Sequence, residues 1–172
     1  SVLKDKDGSD YSPKYTFGKS NAATTLSLDN YYQLLQQTTS KGIISVNYSY
    51  ARYSTSATPV AAAAHLAADW VRYDNGRTKY WEVGNENYGN WQAGWRINTA
   101  NNKDGQPEII NGDIYGDQVN VIIDSMRKAA TEIGQTIKIG AVLVEGIYTS
   151  STTTEKDWNL KAIKKVHANV DF

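Results

Sequence analysis

Apolar positions along the chain change period several times, and each change marks an element. Leu28, Tyr31 or Tyr32, Leu35 and Thr39 recur at helical spacing behind Ser27, a good N-cap, so a helix is predicted over 28–39. Lys41-Gly42 ends it, and the short apolar run 42–48 with Ile43, Ile44 and Val46 reads as a buried strand. Thr58-Pro59 is a cap followed by proline at the first helical position; Val60, Ala64, Ala67 and Val71 then mark a helix through Tyr73, closed by Asn75-Gly76. Thr78 to Val83 is rich in β-branched and aromatic residues, which favours a strand at about 79–84. A connection from Gly84 to about Gly112 follows, long enough to suggest a functional loop. Asp113 can cap a helix to Glu132, whose face is Val119, Ile122, Ile123, Met126, Ala130 and Ile133, with Gly134 as its stop. The run 137–144 is another buried strand. Thr152-Thr153-Thr154-Glu155 is a capping-box pattern before a helix at 156–166, and a last strand opens at Val170.

The order is therefore helix and strand, four times over. Every strand-to-strand connection is long enough for a right-handed parallel crossover. The predicted class is α/β, with the four strands parallel and adjacent in chain order. Residues 1–23 are rich in Gly, Ser, Asp and Lys without a sustained period, and read as a loop or arm; residues 24–172 form one α/β unit.

Composition narrows the chemistry. Formal net charge is zero, with 18 basic and 18 acidic residues, so no basic face points to nucleic acid or an anionic membrane. No apolar run reaches the ~20 residues of a membrane span. There is no cysteine, hence no disulfide and no thiolate metal site. Calcium-loop spacing fails around Asp5, Asp7 and Gly8 and again around Asn102-Lys103-Asp104-Gly105, so no metal and no cofactor is expected. Twelve tyrosines and five tryptophans stand against two phenylalanines; rings with a polar handle suit wet carbohydrate clefts, although they are also ordinary surface residues.

The densest cluster of candidate chemistry follows the 79–84 strand. Asn85, Glu86, Asn87, Tyr88, Gly89, Asn90 and Trp91 place an amide, a carboxyl group and two large rings just past a strand end. A carboxylic acid can protonate a glycosidic oxygen, an amide can hold a sugar hydroxyl, and flat rings can cover an apolar sugar face. An arbitrary Asn-Glu pair is more often an ordinary polar turn. Asn47 lies at the end of the neighbouring strand; Asn47-Tyr48-Ser49 also forms a glycosylation sequon, but a strand end facing a cleft suits substrate contact or a structural hydrogen bond better. Glu82, upstream in its strand, is expected to point into the interior or wall, and Glu145 to stand beyond the 137–144 strand. His65 reads as a surface histidine and His167 as a helix-end residue.

Trp81-Glu82-Val83-Gly84-Asn85-Glu86 resembles the segment that ends the fourth barrel strand of clan A glycoside hydrolases, above all the family 51 arabinofuranosidases and related agarase-like and endoglucanase-like enzymes. Val46-Asn47-Tyr48, Ile137 to Val142 and Val170-Asp171-Phe172 resemble the third, fifth and sixth strands in order. The resemblance covers residues 24–172 and implies part of a (β/α)8 TIM barrel, strands 3 to 6 with their helices. It implies a retaining glycoside hydrolase acting on plant or algal polysaccharide or oligosaccharide. Glu86 would be the catalytic acid/base, and Asn85, Asn47, Tyr88 and Trp91 would bind substrate. A secreted or extracellular location goes with such substrates. The family's nucleophile belongs to the seventh strand, so the remainder of the barrel would come from the same longer chain or from another one. The alternatives are a carbohydrate-binding or structural barrel without catalysis and a doubly wound nucleotide-binding protein. The latter ranks last because no glycine-rich phosphate loop follows any strand.

Overall fold

The computed structural model describes residues 15–16, 19–20, 27–101, 104–146, 153–166 and 168–172. Two short strands, β1 (Tyr15–Thr16) and β2 (Lys19–Ser20), pair antiparallel within the stretch read as an arm. The main body runs α1 (Leu28–Gln37), β3 (Ile43–Val46), α2 (Tyr50–Tyr53), α3 (Pro59–Asp74), β4 (Tyr80–Val83), α4 (Gly112–Glu132), β5 (Lys138–Ala141) and α5 (Thr153–Val166). A mixed α/β architecture with a three-stranded parallel sheet results.

The strands lie in the order β3-β4-β5. Their registers pair Val46 with Val83 and Val83 with Ala141. The segment 170–172, read as a fourth strand, forms no regular strand. It nevertheless runs along the free edge of β5, where Asp171 N–H donates to the Ile139 carbonyl (2.8 Å) and Ala141 N–H to the Phe172 carbonyl (3.3 Å). The rising residue numbers on both sides make this edge contact parallel. Two bonds over three residues are too few for a regular ladder.

Side chains alternate across the sheet. Ile44, Val46, Trp81, Val83 and Ile139 point to one face and are buried beneath α3, α4 and α5. Ile43, Ser45, Tyr80 and Glu82 point to the other. There Ile43 and Tyr80 are exposed, Glu82 is partly buried, and Phe172 lies exposed against Tyr80 with ring centroids 6.2 Å apart. Among the described residues, helices thus cover the sheet on one face only.

Helices α3 and α4 bury most of their periodic stripes, though Val60 is only partly buried; α1 has no fully buried residue, since Leu28, Tyr31, Tyr32 and Leu35 are half-buried and Thr39 is exposed. Ala63, Ala64, Ala67, Ala68 and Val71 are the buried line of α3; Val119, Ile122, Ile123, Met126 and Ala130 are that of α4. Four boundaries differ from expectation. Asn111, not Asp113, caps α4, its side chain accepting from Ile114 N–H at 3.0 Å, because the turn preceding the helix places that amide oxygen over the first free N–H groups. Beyond Val46 the chain coils into α2 rather than extending to 48, and Tyr48 and Tyr50 are buried core residues. Beyond Ala141 the strand stops because the Val142 amide is taken by the Tyr115 hydroxyl (2.7 Å) and that of Val144 by Asn159 Oδ1 (2.7 Å). Helix α5 begins at Thr153, earlier than residue 156. The capping-box reading, which rests on Thr152, the calcium-loop checks around Asp5 and at Asn102-Lys103, and His167 lie outside the described residues. His65 is on the surface as read, 3.4 Å from Asp69.

Candidate functional site

Parallel register brings the C-terminal ends of β3, β4 and β5 to one edge, so Asn47, Gly84 and Val142 start from neighbouring positions there. Gly84 can turn sharply because it adopts φ +96°. Its N–H donates to the Val46 carbonyl (3.0 Å), and its own carbonyl accepts from Ser45 Oγ (2.5 Å). These two bonds fasten the start of the loop to β3.

Glu86 also has positive φ, +46°, a left-handed conformation unusual for a residue with a side chain. The Glu86 carbonyl accepts from Gly89 N–H at 2.8 Å, and the Gly89 carbonyl accepts from Gln92 N–H at 3.0 Å. Two consecutive turns therefore carry the chain from Glu86 back to Trp91. The Trp91 indole N–H donates to Glu86 Oε2 at 3.0 Å, and Gln92 Nε2 lies 3.5 Å from the same oxygen. Glu86 is exposed and Trp91 retains 60% of its surface, so both reach solvent together. Close packing enforces the tryptophan's position, since a Cβ at Gly89 would overlap its ring.

Tyr88 is half-buried and joins this cluster to the core. Its ring lies 6.2 Å from Trp91 and 5.9 Å from Trp158. Trp158 in turn packs 4.8 Å from Tyr115, and Tyr115 4.9 Å from Tyr48. Five rings thus pass from the buried centre to the exposed Trp91. Tyr115 is fixed at both polar ends of its hydroxyl, donating to the Val83 carbonyl (2.7 Å) and accepting from Val142 N–H. Burial pushes its ionisation well above the ordinary tyrosine range.

Of the five site residues read from the sequence, Glu86, Tyr88 and Trp91 form one contiguous cluster. Asn85 is exposed beside them, its N–H held by Asn87 Oδ1 at 3.0 Å. Asn47 is exposed on the adjoining strand end, where its Nδ2 donates to the Tyr53 hydroxyl at 3.1 Å. Glu82 lies on the uncovered sheet face, and burial raises its pKa above the usual carboxyl range. Glu145 is exposed past the end of β5.

Three contributors escaped the sequence reading. Asn87 is buried and pins the turn. Tyr53 orients Asn47; a tyrosine six residues past it carried no signal, because α2 is a single helical turn. Arg52 is almost wholly buried. Its guanidinium donates to the carbonyls of Gly94 (3.0 Å), Pro107 (2.9 Å) and Glu108 (3.2 Å) and to Gln106 Oε1 (2.8 Å). It thereby gathers the long 84–112 connection, together with the bridge between Arg96 and Ile109. A charged residue between two tyrosines gave no hint of burial.

Among the described residues no cluster of three metal-binding side chains occurs, and no helix is long and apolar enough to cross a membrane. No protein-family model, curated protein or solved structure matches the chain.

Proposed function

We propose that this chain is the central part of a retaining glycoside hydrolase whose barrel is completed by further strands, with Glu86 as its general acid/base. The single observation carrying the reading is the Glu86–Trp91 pair: a solvent-reaching carboxyl group and an exposed indole, bonded to each other at the C-terminal edge of a parallel sheet. Barrel enzymes place their working residues at that edge. The apolar exposure agrees with an incomplete barrel. Ile43, Tyr80 and Phe172 are bare on the inner sheet face, Leu34 on α1, and Leu160 and Ile163 on α5, which are the surfaces further strands and helices would cover. The family resemblance of residues 81–86 supplies the acid/base role.

In this reading Glu86 gives its proton to the leaving oxygen and later takes one from the attacking water. Asn85 cannot exchange a proton and would hold the hydroxyl beside the reacting carbon. Asn47, oriented by Tyr53, has an amide oxygen to offer a second hydroxyl. Tyr88 supports Trp91, which offers its ring to the sugar. The nucleophilic carboxylate would come from outside this segment, about 5 Å from Glu86 as retention requires.

The test uses the complete enzyme carrying Glu86→Ala. Glycosides with a good leaving group should still form the glycosyl-enzyme quickly, whereas natural glycosides should react about 10²–10⁴-fold more slowly. Azide should restore turnover on the activated substrate. Equal slowing of both substrates without azide rescue would remove Glu86 from the acid/base role.

A further inference from the structure

We infer that Asn87 is the positioning residue for Glu86, holding the catalytic turn in a conformation its own backbone disfavours. The inference rests on the glycosidase reading for its kinetic meaning, but its structural content stands apart from it.

The backbone from Gly84 to Glu86 is unusual twice over, with φ +96° and +46°. A left-handed residue bearing a side chain is sterically disfavoured and persists only where its surroundings over-determine it. Asn87 supplies that determination. It is 4% exposed although polar, and it sits in the turn among exposed residues. Its Oδ1 accepts from Asn85 N–H at 3.0 Å, reaching two residues back along the chain across Gly84. Its Nδ2 donates to Ser49 Oγ at 3.3 Å, on the segment that follows β3. The amide occupies the volume where a Cβ on Gly84 would stand, so glycine and asparagine fit as a pair.

The consequence reaches Glu86 through the backbone alone. The Asn85 N–H before Glu86 and the Asn87 side chain after it are both hydrogen-bonded, and between them the Glu86 side chain leaves the turn toward Trp91. An alanine at 87 removes the acceptor for Asn85 N–H and the bond to Ser49, and opens space above Gly84. Glu86 would then relax toward ordinary negative φ, swinging its carboxyl group away from the indole. Aspartate at 87 keeps the acceptor, and the Ser49 hydroxyl can turn to donate to it.

The test follows the Trp91 indole N–H signal in the complete, ¹⁵N-tryptophan-labelled protein, assigned with Trp91→Phe. Glu86→Gln should shift this signal by weakening its acceptor. Asn87→Ala should shift it and speed its hydrogen exchange, while Asn87→Asp keeps the exchange slow. A Glu86→Gln protein with an unmoved signal, or an Asn87→Ala protein that melts lower but keeps the wild-type signal, overturns the inference. Should Asn87→Ala not fold, Ser49→Ala serves, with a smaller shift expected and an unmoved signal counting against. Kinetically, Asn87→Ala should lower kcat on poor leaving groups by up to about 10²-fold with KM within a few-fold, since acid placement and not affinity is lost. Activated leaving groups should be spared. Absence of glycosidase activity in the wild-type protein would defeat the glycosidase reading while the indole signal still decides the role of Asn87.

Discussion

Trp91 donates its indole N–H to Glu86 Oε2 at 3.0 Å, so one ring both faces solvent and holds the carboxyl group. The two duties are separable by substitution. Trp91→Phe keeps an aromatic surface and loses the donor; Trp91→Ala loses both. Under the proposed glycosidase function, KM should rise about tenfold in Trp91→Ala and change little in Trp91→Phe, in line with the ~1 kcal/mol carried by an aromatic contact. Both should lower kcat, because Glu86 loses its anchor. Identical KM values for the two variants would mean that the ring binds no sugar.

Glu86 pays for its placement with a left-handed backbone at φ +46°. Glycine adopts that conformation freely and alanine does not. Glu86→Gly should therefore be more stable than Glu86→Ala by about 1 kcal/mol, the reverse of the usual glycine penalty. Thermal melting of the two variants measures the order. A more stable alanine variant would show that the turn relaxes once the carboxylate is gone.

Arg52 donates to four acceptors in the interior, and burial lowers its pKa from the ordinary guanidinium value. Lysine cannot fork to so many partners. Arg52→Lys and Arg52→Met should each destabilise by about 3 kcal/mol or more, since buried acceptors are left without donors. The loss should fall on the 94–110 stretch, visible as faster amide exchange there before it appears around β4. Uniform acceleration across the sheet would contradict a local clamp.

Asp171 binds the chain's last residues to β5. Burial raises its pKa, but hydrogen bonds from Lys138 Nζ (2.9 Å) and Ile139 N–H (2.9 Å), with the Arg127 guanidinium, outweigh this and hold it below the ordinary value. A depressed carboxyl pKa stabilises the fold above the unfolded-state value, about 3.9, and that contribution is lost as pH falls through the lower folded value. Asp171→Asn should be less stable than wild type at pH 7, and the difference should shrink below about pH 4. Urea titrations at the two pH values check it; a gap independent of pH would assign the effect to packing.

Much of the framework was legible in the residues themselves. Helical stripes such as Ala64, Ala67 and Val71, or Ile122, Ile123 and Met126, predict buried faces because 3.6-residue periodicity leaves no other side for them. Ile44 and Val46, Trp81 and Val83, and Ile139 mark a sheet with a face buried by helices, and the long crossovers allow its strands to run parallel. The Asn85-Glu86 pair at a strand end was visible too, because Gly84 breaks the pattern there.

Tertiary structure alone decided what holds that pair. Asn87 looks like any loop asparagine until Gly84 and Ser49 close around it. Arg52 looks exposed until the distant 94–108 stretch brings four acceptors to it. Tyr115 lies outside the apolar stripe read for its helix, yet its hydroxyl ends one strand and ties down another. In each case the partner lies 27 or more residues away, or the side chain's role depends on backbone angles that local preference opposes. Period and propensity act over a few residues, so they determine the elements; the contacts that aim Glu86 exist only after those elements have packed.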